Sequence, residues 1–186
     1  MELLKINFNA KHYSYKAEDK IGRSIYEQIK DKENIVILCI GTNKVNGDSL
    51  GPTVGTFLEE NNISNVYGTL ENPVDAINLK EKINEIKSQY DNPYIIAIDA
   101  AVYISISNLI GKPEALKTIL VDSKSMTARS WDKKNAVTVG NLSITGIVEY
   151  GSYYNFQKRM ESSDLGMIYN MSKIIAKSLI RALNQL

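Results

Sequence analysis

The sequence predicts an α/β protein in which helices wrap a mostly parallel sheet. Two short apolar runs, at 35–40 and 94–99, are rich in β-branched residues and lack polar alternation, as strands buried on both faces do. The segments between them repeat apolar residues at helical spacing. Each run leads to a carboxylate, Asp48 or Asp99, on the side where open α/β sheets build their sites.

Residues 1–13 read as an arm of mixed polarity with a short edge strand at 3–8. A helix follows from Ser14, because Ala17, Ile21, Ile25 and Ile29 fall every four residues and mark one buried face. After the strand at 35–40 comes a polar, glycine-punctuated loop. Ser49 can then cap a helix that tolerates Pro52 in its first turn and carries Leu50, Val54, Phe57 and Leu58 at helical spacing. Residues 65–70 read as a second short strand, broken by Glu71, Asn72 and Pro73. Asp75 can cap the next helix, which sets Leu79, Ile83, Ile86 and Tyr90 on one face. The strand at 94–99 completes an αβαβαβ order, the signature of helices wound on a parallel sheet.

Beyond it, 103–107 alternates like a half-exposed strand or hairpin arm, and 115–121 can form another strand. The polar stretch 122–135, with Trp131, reads as a loop that is either mobile surface or part of a substrate rim, the rim being preferred. Strand character returns at 136–139 and 142–148, followed by a turn at 150–154 and helical residues near 156–160. Ser163 can cap a final helix with Leu165, Ile168, Met171, Ile175, Leu179 and Ala182 in a stripe. With no repeat, linker or low-complexity segment, residues 1–186 are expected to form a single α/β domain.

The composition narrows the chemistry. A chain of 186 residues, 44% of them hydrophobic, can bury a core without disulfides or a structural metal. A formal charge of +1 and the lack of a long basic run give no strong pull on nucleic acid or anionic lipid. Cys39 is the single cysteine, so neither an intrachain disulfide nor a thiolate metal cluster is available. His12 is the single histidine, which argues against a histidine-based triad and excludes a multi-histidine metal site. No signal peptide and no apolar span of about 18 residues is present, so the expected compartment is the cytoplasm.

The loop after the first central strand differs from a phosphate-binding loop. Gly41 and Gly47 stand one residue too far apart, and Asp48 occupies the place of the essential lysine, where it would repel phosphate. Asp48 and Asp99 are instead the candidate catalytic residues, the structural alternatives being a helix N-terminal carboxylate for Asp48 and a cap of a turn or of the next helix for Asp99. In a doubly wound sheet the carboxyl ends of the strands share one edge, so two acids distant in the chain can converge on one crevice. Two carboxylates brought together cannot both ionise cheaply. One keeps a proton while the other can deprotonate water, a division of labour suited to hydrolysis without a nucleophilic side chain. Asp75 is a third acid near the same edge, first of all a helix cap. Asp48, Asp75 and Asp99 could together hold a divalent cation, but the expectation is a site without cofactor or metal.

Several segments together resemble the YyaC-type sporulation proteins, a protease-like family related to the spore germination protease and, by fold, to the hydrogenase-maturation proteases. They are residues 36–42 with 47–52 and Val54-Gly55; 66–71 with Pro73-Val74; 95–100; and 144–148 (Ile-Thr-Gly-Ile-Val). The resemblance implies a three-layer αβα fold with a mostly parallel mixed sheet of the phosphorylase/hydrolase-like kind. It implies an aspartic-type peptidase site in which the motif-matched acids are Asp48 and Asp99. Hydrogenase-maturation relatives pair such acids with a histidine to sense nickel, whereas no histidine follows Asp99 here. Relatives carry histidine where this chain has Asp75, Cys-Leu-Gly where it has Ala101-Val102-Tyr103, and Val-Gly-Asp where it has Val139-Gly140-Asn141.

The expected function is a sporulation-associated endopeptidase of the germination-protease type, acting on spore proteins or peptides in the forespore or mother cell. Asn43, Gly47, Ser49 and Asp75 are the candidate substrate-binding residues around the acid pair, with Gly47 and Gly51 permitting close backbone approach. A homo-oligomer is compatible with the sequence; nucleic acid and membrane are not expected partners. Two rivals remain: a catalytically inactive binding or regulatory protein on the same fold, and a metal-dependent hydrolase.

Overall fold

A computed structural model describes residues 4–7, 14–104, 116–129, 136–151 and 156–186. The chain runs β1 (Leu4–Asn7), α1 (Ser14–Ile29), β2 (Ile35–Cys39), a 3₁₀ turn (Gly47–Ser49), α2 (Leu50–Glu60), β3 (Val66–Tyr67), α3 (Leu79–Gln89) and β4 (Tyr94–Ile104). Then follow β5 (Thr118–Asp122), β6 (Met126–Arg129), β7 (Ala136–Val139), β8 (Leu142–Gly151), α4 (Phe156–Ser162) and α5 (Leu165–Leu183).

Six strands form one sheet in the order β1-β5-β8-β4-β2-β3, and β6 pairs with β7 in a separate two-stranded sheet. The pairs β2·β3, β2·β4 and β4·β8 are parallel, while β5 runs antiparallel to both β1 and β8. Five strands therefore share one direction and β5 opposes them, the expected mostly parallel mixed sheet. From β2 the chain crosses through α2 to β3 on one side and then through α3 to β4 on the other. The carboxyl ends of β2 and β4 thus flank a topological switch point, where open α/β sheets leave a crevice.

Strand alternation divides the core in two. Ile37 and Cys39 of β2, Ile96 and Ile98 of β4 and Leu142 and Ile144 of β8 face α1, α2 and α5. Val36, Leu38 and Ile40, with Ile95 and Ala97, face α3 and the β6–β7 hairpin. The helices follow their apolar stripes: Ala17, Ile21, Ile25 and Ile29 of α1 and Ile168, Met171, Ile175, Leu179 and Ala182 of α5 are all buried. Arg181 of α5 meets Asp19 of α1 at 2.8 Å. The turns that feed β2, β3 and β4 each carry an asparagine at positive φ, namely Asn34 (48°), Asn65 (60°) and Asn92 (45°). Asparagine tolerates the left-handed region better than most residues because its short side chain can hydrogen-bond locally.

Several local expectations shift. Asp99 does not end its strand: β4 continues to Ile104 because Ala100 to Ile104 find partners in the long β8, with a register irregularity between Ala101 and Val102. Within the polar stretch 122–135, residues 126–129 form β6, whose buried Ala128 joins Val139 in the second core cluster. Trp131, and the residues of the 103–107 and 150–154 expectations that fall at 105–107 and 152–154, lie outside the described residues, while Tyr150 and Gly151 belong to β8. The caps differ too. Ser49 makes no side-chain cap bond, Asn78 rather than Asp75 precedes α3, and Asp164 rather than Ser163 caps α5 by accepting from the Met167 N–H at 3.1 Å. Ser163 instead donates to the Arg159 carbonyl at the end of α4, and Leu165 is 56% exposed rather than part of the buried stripe. Among the described residues, no helix is long and apolar enough to cross a membrane.

Candidate functional site

The loop after β2 is held by backbone bonds that only a few residue types permit. The Ile40 N–H donates to the Ile98 carbonyl at 2.7 Å and the Gly41 N–H to the Val74 carbonyl at 2.8 Å, so the residues after β2 are laced to β4 on one side and to the segment at Val74 on the other. At Gly41 φ is 138°, and an added Cβ would fall 2.0 Å from the Asp48 carbonyl oxygen. Glycine is needed there both for conformation and for room. That close approach folds the loop back, and the Thr42 N–H donates to the Asp48 carbonyl at 3.1 Å. The loop ends in the 3₁₀ turn, which places Asp48 just before α2.

Asp48 and Asp99 are both half-buried, and they come together at the switch point. Burial pushes the Asp99 carboxyl well above the ordinary range, and the charge of Asp48 raises it further, against a smaller opposing effect from the Ala100 N–H, which donates to Asp99 Oδ1 at 2.7 Å. Asp48 is pushed up to about 6, chiefly by burial; the Thr42 N–H favours its ionised form, and the charge of Asp75 works the other way. The two acids therefore feel each other, and Asp99 is the one that retains a proton longer as pH rises.

Asp75 stands on the β3 side of this pair. Its Oδ1 accepts from the Ile77 N–H at 2.8 Å, while its own N–H donates to Asn78 Oδ1 at 2.9 Å. These bonds make a local turn before α3 rather than a helix cap. Asp75 also lines a cavity of about 460 Å³ with Gly68, Thr69, Glu71, Asn78 and Lys82. Two further concavities measure about 440 and 400 Å³, and none of the three is lined by Asp48 or Asp99. Among the described residues no three acid, histidine or cysteine side chains are grouped so that they could hold a metal ion. Asp48, Asp75 and Asp99 thus do not form a three-carboxylate cage.

The remaining candidates take different positions. Asn43 is exposed and donates from Nδ2 to the Leu70 carbonyl at 2.8 Å, tying the loop to the segment after β3. Gly47 packs against α4, where a Cβ would meet Met160 Sδ at 2.7 Å and Ser163 Oγ at 2.9 Å. Ser49 is buried and donates to the Asn46 carbonyl at 2.6 Å, which locks the turn from inside. Gly47 and Ser49 thus support the loop, whereas Asn43 and Asp75 stand nearer its open side. Sequence reasoning missed the Thr42 N–H, because a backbone donor leaves no mark in residue type. It also passed over Thr145, which lies directly beside Asp99 in the register of β4 with β8. The signal available for Thr145 was the motif at 144–148, read there only as a strand.

A family model described as "Protein of unknown function (DUF1256)" matches residues 9–178. The chain is also 33% identical over 147 residues to the "Uncharacterized protein YyaC" of Bacillus subtilis (strain 168), an alignment covering 78% of this chain and 67% of that protein.

Proposed function

We propose, from the premise that the chain belongs to the DUF1256 family, that it is a sporulation-associated endopeptidase of the germination-protease type, with Asp48 and Asp99 as its acid and base. One observation carries this reading: two half-buried carboxylates at the switch point, with the charge of Asp48 felt at Asp99. A helix cap or a solvated surface acid would have no such partner.

Asp48, raised to about 6, is the carboxylate that ionises and serves as the base, and Asp99, raised well above the ordinary value by burial and by the Asp48 charge, is the one that holds a proton. Asp48 takes a proton from a water whose oxygen attacks the peptide carbonyl carbon. Asp99 gives its proton to the carbonyl oxygen, and a gem-diol forms. The C–N bond then breaks as the amine takes the proton from Asp48, and one diol proton returns to Asp99. Water is consumed, both carboxyl groups regain their starting states, and no metal enters any step.

The resemblance to the germination protease makes small acid-soluble spore proteins the natural substrates, in the forespore or mother cell. The test is to incubate the purified chain with those proteins and read fragments by mass spectrometry, with and without chelator. Cleavage insensitive to chelator and lost in both Asp48→Asn and Asp99→Asn is the expected result. Undiminished cleavage by both variants would overturn the assignment of the acids, and cleavage abolished by chelator would favour the metal-dependent rival.

A further inference from the structure

The reaction above builds negative charge on the carbonyl oxygen before the proton of Asp99 has fully moved. A second hydrogen-bond donor at that oxygen would lower the barrier. The backbone donors nearest the acids are already engaged: the Ile40 N–H by the Ile98 carbonyl, the Gly41 N–H by the Val74 carbonyl and the Thr42 N–H by Asp48. The neighbouring strand supplies a side chain instead.

In the parallel pairing of β4 with β8, Asp99 stands opposite Thr145, and the register is regular from Ile96 to Ala101. Directly paired residues of adjacent strands project from the same face. On the far side of β8 the partner of Thr145 is Leu120 of β5, which offers no polar atom from its side chain. Thr145 is half-buried, and among the described residues its hydroxyl has no hydrogen-bond partner. Among the described residues, no fully buried side-chain polar atom lacks a partner, so this unpaired hydroxyl is open to solvent. It is therefore free to donate into the space beside Asp99.

Spacing supports the pairing. Neighbouring strands lie about 4.8 Å apart, and a single oxygen held by two O–H donors at about 2.7 Å each spans a similar gap. One carbonyl oxygen can thus bridge the two side chains. We propose that the Thr145 hydroxyl is a further catalytic residue of this site, donating a hydrogen bond to the substrate carbonyl oxygen alongside the Asp99 carboxyl group. This inference rests on the peptidase reading and deepens it by assigning an oxyanion donor.

Thr145→Val removes the hydroxyl while keeping the shape and strand preference of the side chain; Thr145→Ser keeps the hydroxyl. With small acid-soluble spore proteins as substrate, Thr145→Val is expected to lower kcat about 100-fold with little change in KM, in the acid limb of the pH profile or in thermal stability. Thr145→Ser should stay within several-fold of the unaltered chain. If the unaltered chain cleaves and Thr145→Val matches it, or if Thr145→Ser is as impaired as Thr145→Val, the role of Thr145 is overturned and the acid pair stands. If the unaltered chain cleaves neither spore proteins nor a mixed peptide library, the peptidase reading fails and the Thr145 assignment with it.

Discussion

The acids at the switch point have distinct and separable effects. On the proposed peptidase reading Asp48→Asn removes the base and Asp99→Asn the proton donor, so each should lower kcat by roughly 10³-fold or more in a fragment assay. The pH dependence follows from the same shifts. The proposed mechanism requires Asp48 ionised and Asp99 protonated, so the rate should rise through a pH of about 6 and fall at higher pH as Asp99 loses its proton. A kcat/KM profile that stayed flat between pH 5 and about 7 would contradict Asp48 as the base. Asp48 and Asp99 were legible in the sequence because each sits beside an apolar strand, where a carboxylate is conspicuous. The roles of Gly47 and Ser49 were not, since a glycine against Met160 and a serine bonded to the Asn46 carbonyl depend on neighbours far away or on turn geometry.

At the level of elements, the long strands and helices declared themselves through unbroken apolar runs or four-residue spacing, and β2, α1 and α5 followed those patterns. Short elements did not. The four residues of β6 carry only Met126 and Ala128 as apolar members, and their pairing with β7 is a tertiary fact. Helix starts were misplaced where two candidate caps lie close together. Ser163 and Asp164 are adjacent, and only the backbone angles decide that Asp164 accepts from the Met167 N–H. Asp164→Ala should therefore cost about 1 kcal/mol in urea unfolding, whereas Ser163→Ala should cost less. At the loop after β2, Gly41→Ala should destabilise by more than the usual glycine-to-alanine difference of about 1 kcal/mol, because its Cβ would collide with the Asp48 carbonyl. The same variant should lose activity out of proportion to its stability, as measured by fragment assay on the folded fraction.

For the molecule as a whole, crowding two acids into one crevice weakens the fold at neutral pH. Asp48 rises from its ordinary 3.8 to about 6 and Asp99 rises well above the ordinary value. The folded chain then binds more protons than the unfolded chain over that interval, so their contribution is fully present below about pH 4 and is lost as pH climbs through each folded-state value. Asp99→Asn should accordingly melt higher than the unaltered chain at pH 7.5, with the advantage shrinking toward pH 4. Equal melting curves at pH 7.5 would mean the acids are not held apart from water as described. The left-handed asparagines that open β2, β3 and β4 carry a different consequence. They gather every one of these chain reversals at the pole of the sheet opposite Asp48 and Asp99. New termini could be cut at Asn62 to Asn65 or at Asp91 to Asn92, with the old ends tethered, and Asp48 and Asp99 would still be brought together by the uncut rim.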